Sequence, residues 1–372
     1  MKFIASSSAL QKHLQQINGV ISTHAVIPIL EYFLFEVEEG NLTITGTDLE
    51  VSMRSVMDVE AKEDGRIAIP ARIIQDILKT LPDQPVTFTI SEENNSIELT
   101  SDSGRYKIAG ENPEDFPRFP EVENASNISL PAGVMERAIT STIFAVGTDE
   151  LRPALTGLLF KLAENDITFV ATDGNKLVKY QRLETGSESE DTFIVPKKAL
   201  GILRNSLPDG DQEVKMEYNS VNALFTFRNI KLICRLIDER FPDYNAAIPK
   251  EAPNMLTMNR TQFMNALKRI SIFSNKTTYQ VKLTIAGSEL QLNAQDIDFA
   301  NEAHERLQCE YDGQDLEIAF NARFLIEMLS ILDSDEVTIA LSEYNRPGVL
   351  RPKPSEENEE ILMLLMPIVV NV

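Results

Sequence analysis

Apolar and polar positions follow one pattern that occurs three times along the chain. In the central copy, Thr192–Asp209 (TFIVPKKALGILRNSLPD), a β-rich run ends at Pro196 and apolar residues then recur at helical spacing, which predicts a strand leading into a helix. The plan recurs around Pro70 in RIAIPARIIQDILKTLPD and in LEIAFNARFLIEMLSILDSD, where Asn321 replaces the proline as an N-cap residue. The spacing predicts two helices per copy, at Ser6–Ile21, Ala71–Leu81, Pro131–Ala145, Lys197–Leu207, Arg260–Ile270 and Asn321–Leu332.

In each copy, the second predicted helix is followed by a strand of alternating apolar and polar residues. These strands are PVTFTI, EVKMEY and EVTIAL in the three copies. Every copy therefore reads strand, helix, strands, helix, strands, without the regular alternation of a parallel α/β fold. We predict an α+β protein of three repeated domains at residues 1–125, 126–252 and 253–372, each with two helices on one face of antiparallel sheets.

The composition is that of an ordinary globular protein, with 43% hydrophobic and 25% charged residues. The chain contains no run of eighteen apolar residues, and serines interrupt its start, MKFIASSSAL. We expect a cytoplasmic protein with no membrane partner. Cys234 and Cys309 lie in strand-like contexts of different copies, which favours two buried free thiols.

The net charge of −22 argues at first against a nucleic-acid partner, because phosphate binding depends on Lys and Arg. The charge is unevenly distributed, however. The six predicted helices together carry eight more basic than acidic residues, so the strands and loops carry all of the negative excess. Such a chain presents two different surfaces if its helices gather on one side. The alternative is that Lys and Arg are simply common helix formers.

Motifs that would indicate catalysis are missing from the sequence. It contains no GxxxxGK[ST], no HExxH and no GxSxG with plausible partners, and its three histidines are widely separated. Asp48 and Asp173 occupy matching hairpin positions in two copies, where a turn aspartate is the common explanation. We therefore expect no catalytic residue, no metal and no cofactor.

Several stretches, taken in order, resemble the bacterial DNA polymerase III beta subunit, the sliding clamp: MKF, LTITGTDLEVSM, IPAR, DFPRFP, TGLLF, ATDGNKL, RFPDY and LMPI. The resemblance implies a ring-shaped head-to-tail homodimer with helices lining a central hole. Such a ring encircles duplex DNA without reading sequence, tethers the replicative polymerase and confers processivity. It meets the polymerase, the clamp loader and other proteins through short linear peptides. The alternative function is a repeat-built peptide adaptor that does not encircle DNA.

The resemblance also implies three sets of site residues. The DNA-binding candidates are His24, Arg72, Lys197, Lys198, Arg137 and Arg204. The expected peptide pocket comprises Leu155, Thr172, Gly174, Asn175, Lys176, Leu177, Pro242, Ala246, Ala247, Leu364, Met366, Pro367 and Ile368. Ala246 and Ala247 replace larger residues that are common in the family, which predicts a roomier pocket. The expected dimer interface comprises Arg105, Tyr106, Ile108, Ile272 and Phe273.

Overall fold

The computed structural model describes residues 1–187 and 190–369 and contains all six predicted helices. Elements of the first repeat are β1 (Lys2–Ser6), α1 (Ser7–Ile17), β2 (Tyr32–Glu38), β3 (Asn41–Thr47), β4 (Val51–Asp58), β5 (Glu60–Glu63), β6 (Gly65–Pro70), α2 (Ala71–Thr80), β7 (Pro85–Ile90), β8 (Ser96–Thr100) and β9 (Arg105–Ala109). Those of the second are β10 (Ser126–Pro131), α3 (Ala132–Thr142), β11 (Gly157–Leu162), β12 (Asp166–Thr172), β13 (Lys176–Leu183), β14 (Asp191–Pro196), α4 (Lys197–Ser206), β15 (Glu213–Tyr218), β16 (Asn222–Phe227) and β17 (Ile230–Arg235). Those of the third are β18 (Asn254–Asn259), α5 (Arg260–Ile270), β19 (Gln280–Ala286), β20 (Glu289–Asp296), β21 (Asn301–Gln308), β22 (Glu310–Asp312), β23 (Leu316–Asn321), α6 (Ala322–Ile331), β24 (Glu336–Leu341), β25 (Gly348–Lys353) and β26 (Glu359–Leu365).

The chain forms two compact units, and neither coincides with one repeat. The first comprises residues 1–136 and 198–236, and the second comprises residues 137–197 and 237–372. Each unit holds one large sheet that joins strands of two successive repeats. The domain boundaries at residues 125 and 252 therefore stay a prediction about the sequence repeats. The compact units are instead defined by the two large sheets.

The first unit contains a five-stranded sheet, in the order β5-β1-β7-β8-β9, and an eight-stranded sheet, in the order β10-β15-β16-β17-β4-β3-β2-β6. Helices α1 and α2 bury apolar stripes against these strands; Leu10, Leu14 and Ile17 of α1 are fully buried. In the core, the rings of Phe3 and Phe88 stack with centroids 4.7 Å apart. Burial of these stripes, rather than helix propensity, stabilises the helices.

The second unit contains a nine-stranded sheet, in the order β14-β11-β12-β13-β26-β25-β24-β18-β22, and a four-stranded sheet, in the order β21-β20-β19-β23. Helices α5 and α6 pack on each other and on these strands. In the large sheet, β13 of the second repeat pairs with β26 of the third, so that Leu177 lies opposite Leu364. This junction positions the candidate site described below.

The residue that precedes each of the helices α2, α4 and α6 is either a capping asparagine or a proline. Asn321 caps α6 as predicted, because its side-chain oxygen accepts hydrogen bonds from the N–H groups of Arg323 and Phe324. Pro70 and Pro196 end their strands one residue before α2 and α4. The two helices therefore begin at Ala71 and Lys197, as predicted. Both cysteines are free and buried, as expected.

Candidate functional site

A tight turn joins β12 to β13 in the second unit, and its own side chains hold its shape. The Thr172 hydroxyl donates to the carbonyl of Lys176 (2.8 Å) and accepts from the N–H of Gly174 (3.1 Å). One Asp173 carboxylate oxygen accepts from the N–H groups of Asn175 (2.8 Å) and Lys176 (2.9 Å). Gly174 has a φ of +93°, a conformation that favours glycine. Asp173 therefore shapes a turn.

The end of β26 lies directly beside this turn. The N–H of Met366 donates to the carbonyl of Asn175 (2.8 Å), just beyond the pair Lys176 and Leu365 in the sheet. Leu155 lies close on another side: the N–H of Gly147 donates to the carbonyl of Leu155 (2.8 Å), and a Cβ added to Gly147 would contact both Leu155 and Asp173. The structure therefore brings together predicted pocket residues from three separate stretches of the sequence.

Below the turn lies an apolar floor, and the segment after β17 forms one of its walls. Leu177 and Leu364 belong to a buried cluster with Leu159, Val170 and Ile194. Partly buried residues pack against this cluster from the segment that contains RFPDY; they are Ile237, Phe241, Tyr244 and Ile248. Sequence reasoning did not assign these four to the site, although the apolar spacing of this linker was the available signal.

The predicted pocket residues divide into a buried floor and an exposed rim. Leu155, Thr172, Leu177 and Leu364 are buried, whereas Pro367 and Ile368 are half-buried. Gly174, Asn175, Pro242, Ala246, Ala247 and Met366 are exposed. Ala246 and Ala247 lie in a 3-10 turn and line a separate cavity of about 840 Å³ with Asn254, Gln314 and Arg346, which includes none of the other predicted pocket residues. A floor of aliphatic side chains below an open rim suits an extended peptide with apolar anchors.

Lys176 is buried instead of lying on the rim. Its ammonium group lies 2.7 Å from a carboxylate oxygen of Glu327 and 4.3 Å from the ring centroid of Phe324. The ring of Phe144 lies on it at 5.5 Å. A buried cation with a carboxylate and two aromatic faces is well compensated. Lys176 consequently anchors the start of β13 next to the site.

In the first unit, basic candidates from separate segments share one cavity. His24 and Arg72 line a cavity of about 360 Å³ together with Lys79 and Gln75 of α2. The Arg72 side chain is 94% exposed, and its nearest carboxylate, Asp76, is 3.9 Å away. Lys198 is exposed but forms an ion pair with Asp48. Among these candidates, Arg72 has the charge most available to a phosphate.

Two further DNA-binding candidates are held by partners within the second unit. Arg137 is paired with Glu359 (3.0 Å) and Asp333 (2.7 Å). Burial is the largest single effect and disfavours its cation, but the hydrogen bond and charge of Glu359, together with the charges of Asp333 and Tyr180, raise the Arg137 pKa overall. Lys197 donates to the carbonyl of Val146 (3.1 Å). Arg204 of α4, in the first unit, is half-buried. Arg137 thus offers the least free charge of these candidates.

The interface candidates lie on an outer strand in the first unit and in the 3-10 turn after α5 in the second unit. Strand β9, with Arg105, Tyr106 and Ile108, is the last strand of the five-stranded sheet. Ile108 is buried, whereas Arg105 is exposed and bound to Glu98 at 2.6 Å. In the second unit, Ile272 and Phe273 follow α5 and remain 63% and 38% exposed. Large apolar residues left in solvent after a helix indicate a contact surface.

Residues 1–187 and 190–369 contain no candidate metal site. This part of the chain has no group of three or more His, Cys, Asp or Glu residues placed to hold a metal ion. Its helices are all too short or too polar to cross a bilayer.

Known proteins match the chain along its whole length. Models of the N-terminal, central and C-terminal domains of the DNA polymerase III beta subunit match residues 1–120, 129–243 and 245–368. The chain belongs to this family. The beta sliding clamp of Haemophilus influenzae is 30% identical over 344 residues, covering 92% of this chain and 93% of that protein. The beta sliding clamp of Vibrio cholerae is 29% identical over 369 residues, covering 99% of this chain and all of that protein.

The fold agrees with this membership. A crystal structure of the sliding clamp of Pseudomonas aeruginosa bound to griselimycin superposes with a TM-score of 0.94, 28% identity and full coverage of both chains. The chain thus has the three-domain clamp fold and functions as a DNA polymerase III beta sliding clamp. A clamp is a processivity factor and not an enzyme. This accords with a sequence that lacks a nucleophile and base set.

Proposed function

We propose that two copies of this chain close head to tail into a ring that encircles duplex DNA. Membership of the clamp family across all three domains is the observation that carries this proposal. Opposite charges on the outer strands of the two smaller sheets support this proposal. Strand β9 carries the basic residues Arg105 and Lys107, whereas β21, the last strand of the four-stranded sheet, carries Glu302 and Glu305. When two different edges of the same protein meet head to tail, the chains form a closed ring if the rotation from one copy to the next allows it.

We propose that the protein contacts DNA through the attraction of its basic residues to phosphates and does not recognise bases. The helices are neutral or basic in a chain of net charge −22, so phosphates are attracted to them and repelled elsewhere. Arg72 and His24 are the first contacts we propose, followed by Lys198, Arg204 and Lys197. Arg137 contributes least because two carboxylates already neutralise it. Weak contacts suit sliding, since closure of the ring, and not affinity, keeps the protein on DNA.

The site beside Met366 is the proposed docking place for partner peptides. An aliphatic floor at Leu177 and Leu364 takes apolar anchors, and the exposed side-chain amide of Asn175 on the rim offers hydrogen bonds. Our proposed ligands are short linear segments of the replicative polymerase, the clamp loader and other DNA-processing proteins. We propose that this work takes place in the cytoplasm.

Retention on DNA tests the proposal. The protein should be loaded onto nicked circular DNA by a clamp loader, and the bound fraction measured before and after the circle is linearised. We expect retention on the circle and loss from linear ends. Ile272→Ala with Phe273→Ala should give a folded monomer that binds peptide normally but is not retained. Equal retention on circular and linear DNA would contradict encirclement, and peptide binding without retention would favour the adaptor.

Charge reversal tests the proposed DNA contacts. Lys197→Glu with Lys198→Glu should weaken duplex binding about tenfold or more at low salt, because two phosphate contacts are lost and two repulsions are added. The salt dependence should also become shallower. Arg137→Gln is the matched comparison and should weaken binding less. DNA binding that is unchanged in the double variant would remove these lysines from the DNA surface.

A further inference from the structure

The turn between β20 and β21 exposes two large apolar side chains. Ile297 is 82% and Phe299 is 72% exposed, on either side of Asp298. The turn is tight, since the N–H of Ala300 donates to the carbonyl of Ile297. Small polar residues and glycine are typical of such turns. Nothing in the folding of the single chain accounts for an Ile and a Phe at this tip, which indicates a contact surface.

This turn lies at the end of an outer strand. It leads directly into β21, which is the last strand of its sheet and carries Glu302 near its start. An outer strand presents unpaired backbone groups that proteins normally cover. In the head-to-tail ring proposed above, the covering element is β9 of a second copy, whose charges are all basic.

The direction of β21 relative to β9 of the second copy determines which residues lie next to the turn at Ile297–Phe299. The sheets that contain β9 and β21 consist of antiparallel pairs. If β21 continues the five-stranded sheet of the second copy in the same way, its start lies beside the end of β9. The turn at Ile297–Phe299 then lies beyond Ala109 of that copy.

A third exposed apolar residue lies near that end of β9. The N–H of Glu111 donates to the carbonyl of Ala68 (2.9 Å), which fixes the end of β9 against β6. Strand β6 runs directly into α2, and Ile73 in the first turn of that helix is 49% exposed. The path from Ala68 to Ile73 spans roughly 11 Å at most, given strand and helix rises.

We propose that Ile297 and Phe299 of one protomer pack on Ile73 of the next protomer, forming an apolar corner at each joint of the ring. The inference rests on the proposed head-to-tail closure and adds to it a contact separate from Ile272 and Phe273. The occupant of the exposed turn is a second copy of this chain. The basic charges of β9 beside Glu302 near the start of β21 favour that occupant over an unrelated apolar partner.

Complementary charge variants provide the test. Ile73→Lys alone and Phe299→Glu alone should each raise the dimer dissociation constant about 100-fold, because each homodimer carries the damage at both joints and a buried unpaired charge costs at least tenfold per joint. Analytical ultracentrifugation measures these constants. Val221→Lys and Tyr344→Glu, at similarly exposed positions elsewhere, are the matched controls and should dissociate like wild type.

Mixing the two variants sharpens the test. In a heterodimer, one joint brings the new ammonium beside the new carboxylate, while the other joint keeps both native side chains. Native mass spectrometry of an equimolar mixture should therefore show heterodimers well above the statistical half. Wild-type constants for both single variants, or a statistical mixture, would overturn the apolar corner.

The two proposals can fail separately. Dissociation by Ile272→Ala with Phe273→Ala, while the Ile73 and Phe299 variants stay dimeric, would overturn the corner and leave ring closure standing. A wild-type chain that stays monomeric at micromolar concentration and is not retained on circular DNA would overturn both. Each variant should keep the far-UV circular dichroism spectrum of wild type, since the three positions are exposed; Ile297→Asp repeats the test if one variant fails to fold.

Discussion

The turn that joins β3 to β4 and the turn that joins β12 to β13 share one construction but differ in what lies beneath them. Thr47 and Asp48 hold the first turn as Thr172 and Asp173 hold the second. Thr47 accepts from the N–H of Leu49 (3.0 Å), and Asp48 accepts from those of Glu50 (3.0 Å) and Val51 (2.7 Å). The repeat thus preserves a turn that is capped by its own side chains.

Beneath the two turns the chemistry differs. At the places of Val170 and Leu177 in the second repeat, the first repeat has the hydroxyl residues Thr45 and Ser52. Ser52 bonds to Thr47 (2.7 Å), and Thr45 accepts from Arg54 (3.2 Å), so these residues form a polar network. A turn of this kind is therefore a structural device of the fold, and only the copy with an aliphatic floor is suited to bind a peptide.

The largest expected difference between the two regions is in stability. Leu177→Ala should lower the free energy of unfolding by about 2–5 kcal/mol, because it leaves a cavity in a close-packed cluster. The matching Ser52→Ala should cost only about 1 kcal/mol, the value of one buried hydrogen bond. Urea denaturation of both variants checks this ordering. Equal losses would mean that the two floors contribute alike.

Peptide binding should differ almost as strongly. The probe is a hexapeptide in which Gln is followed by the apolar anchors Leu and Phe, as the aliphatic floor requires. Met366→Asp should weaken its binding by about 100-fold, because it places an unpaired charge in an apolar wall. Leu49→Asp, on the exposed turn of the first repeat, should leave the affinity unchanged. Isothermal titration calorimetry measures both. Undiminished binding by the Met366 variant would place the peptide elsewhere.

Sequence reasoning predicted the recurring elements well, because the evidence for them is local. Helix stripes, the Asn321 cap and the turn residues each act within a few positions, and the structure contains them. The sequence did not indicate that β13 pairs with β26, or that Phe241 and Tyr244 wall the site, since both depend on long-range packing. The burial of Lys176 was equally hidden, because its partners Glu327 and Phe324 are remote in the chain.

Substitutions that change the backbone preference should alter the free energy of unfolding by a smaller amount, and in opposite directions in the two turns. Leu49 has a φ of +79° and Gly174 a φ of +93°. Leu49→Gly should raise the free energy of unfolding by up to about 1 kcal/mol, because relief of left-handed strain exceeds the entropy that glycine adds to the unfolded chain. Gly174→Ala should lower it by about 1–2 kcal/mol, since an alanine there must adopt the left-handed backbone conformation that glycine adopts without strain. Thermal unfolding of the two variants, with opposite shifts in Tm, checks this.

The smallest expected difference is a dependence on pH confined to the first repeat. His13 of α1 bonds to the buried Ser55 (2.6 Å), whereas α3 has Ala138 at the matching place. Burial, with a smaller effect from Lys12, lowers the His13 pKa from its ordinary value of 6.5. Because the folded pKa lies below the unfolded one, the neutral ring contributes stability above pH 6.5 that is lost as the pH falls through the folded pKa.

His13→Gln isolates this contribution from the titration of the many carboxylates, which the variant leaves in place. Between pH 7.5 and pH 5.5, wild type should lose more unfolding free energy than the variant, because the unfolded chain takes up a proton at His13 at a higher pH than the folded chain does. Urea denaturation of both proteins at the two pH values measures the difference. An identical loss would mean that His13 titrates alike in the folded and unfolded chains, and that the hydrogen bond to Ser55 does not depend on a neutral ring.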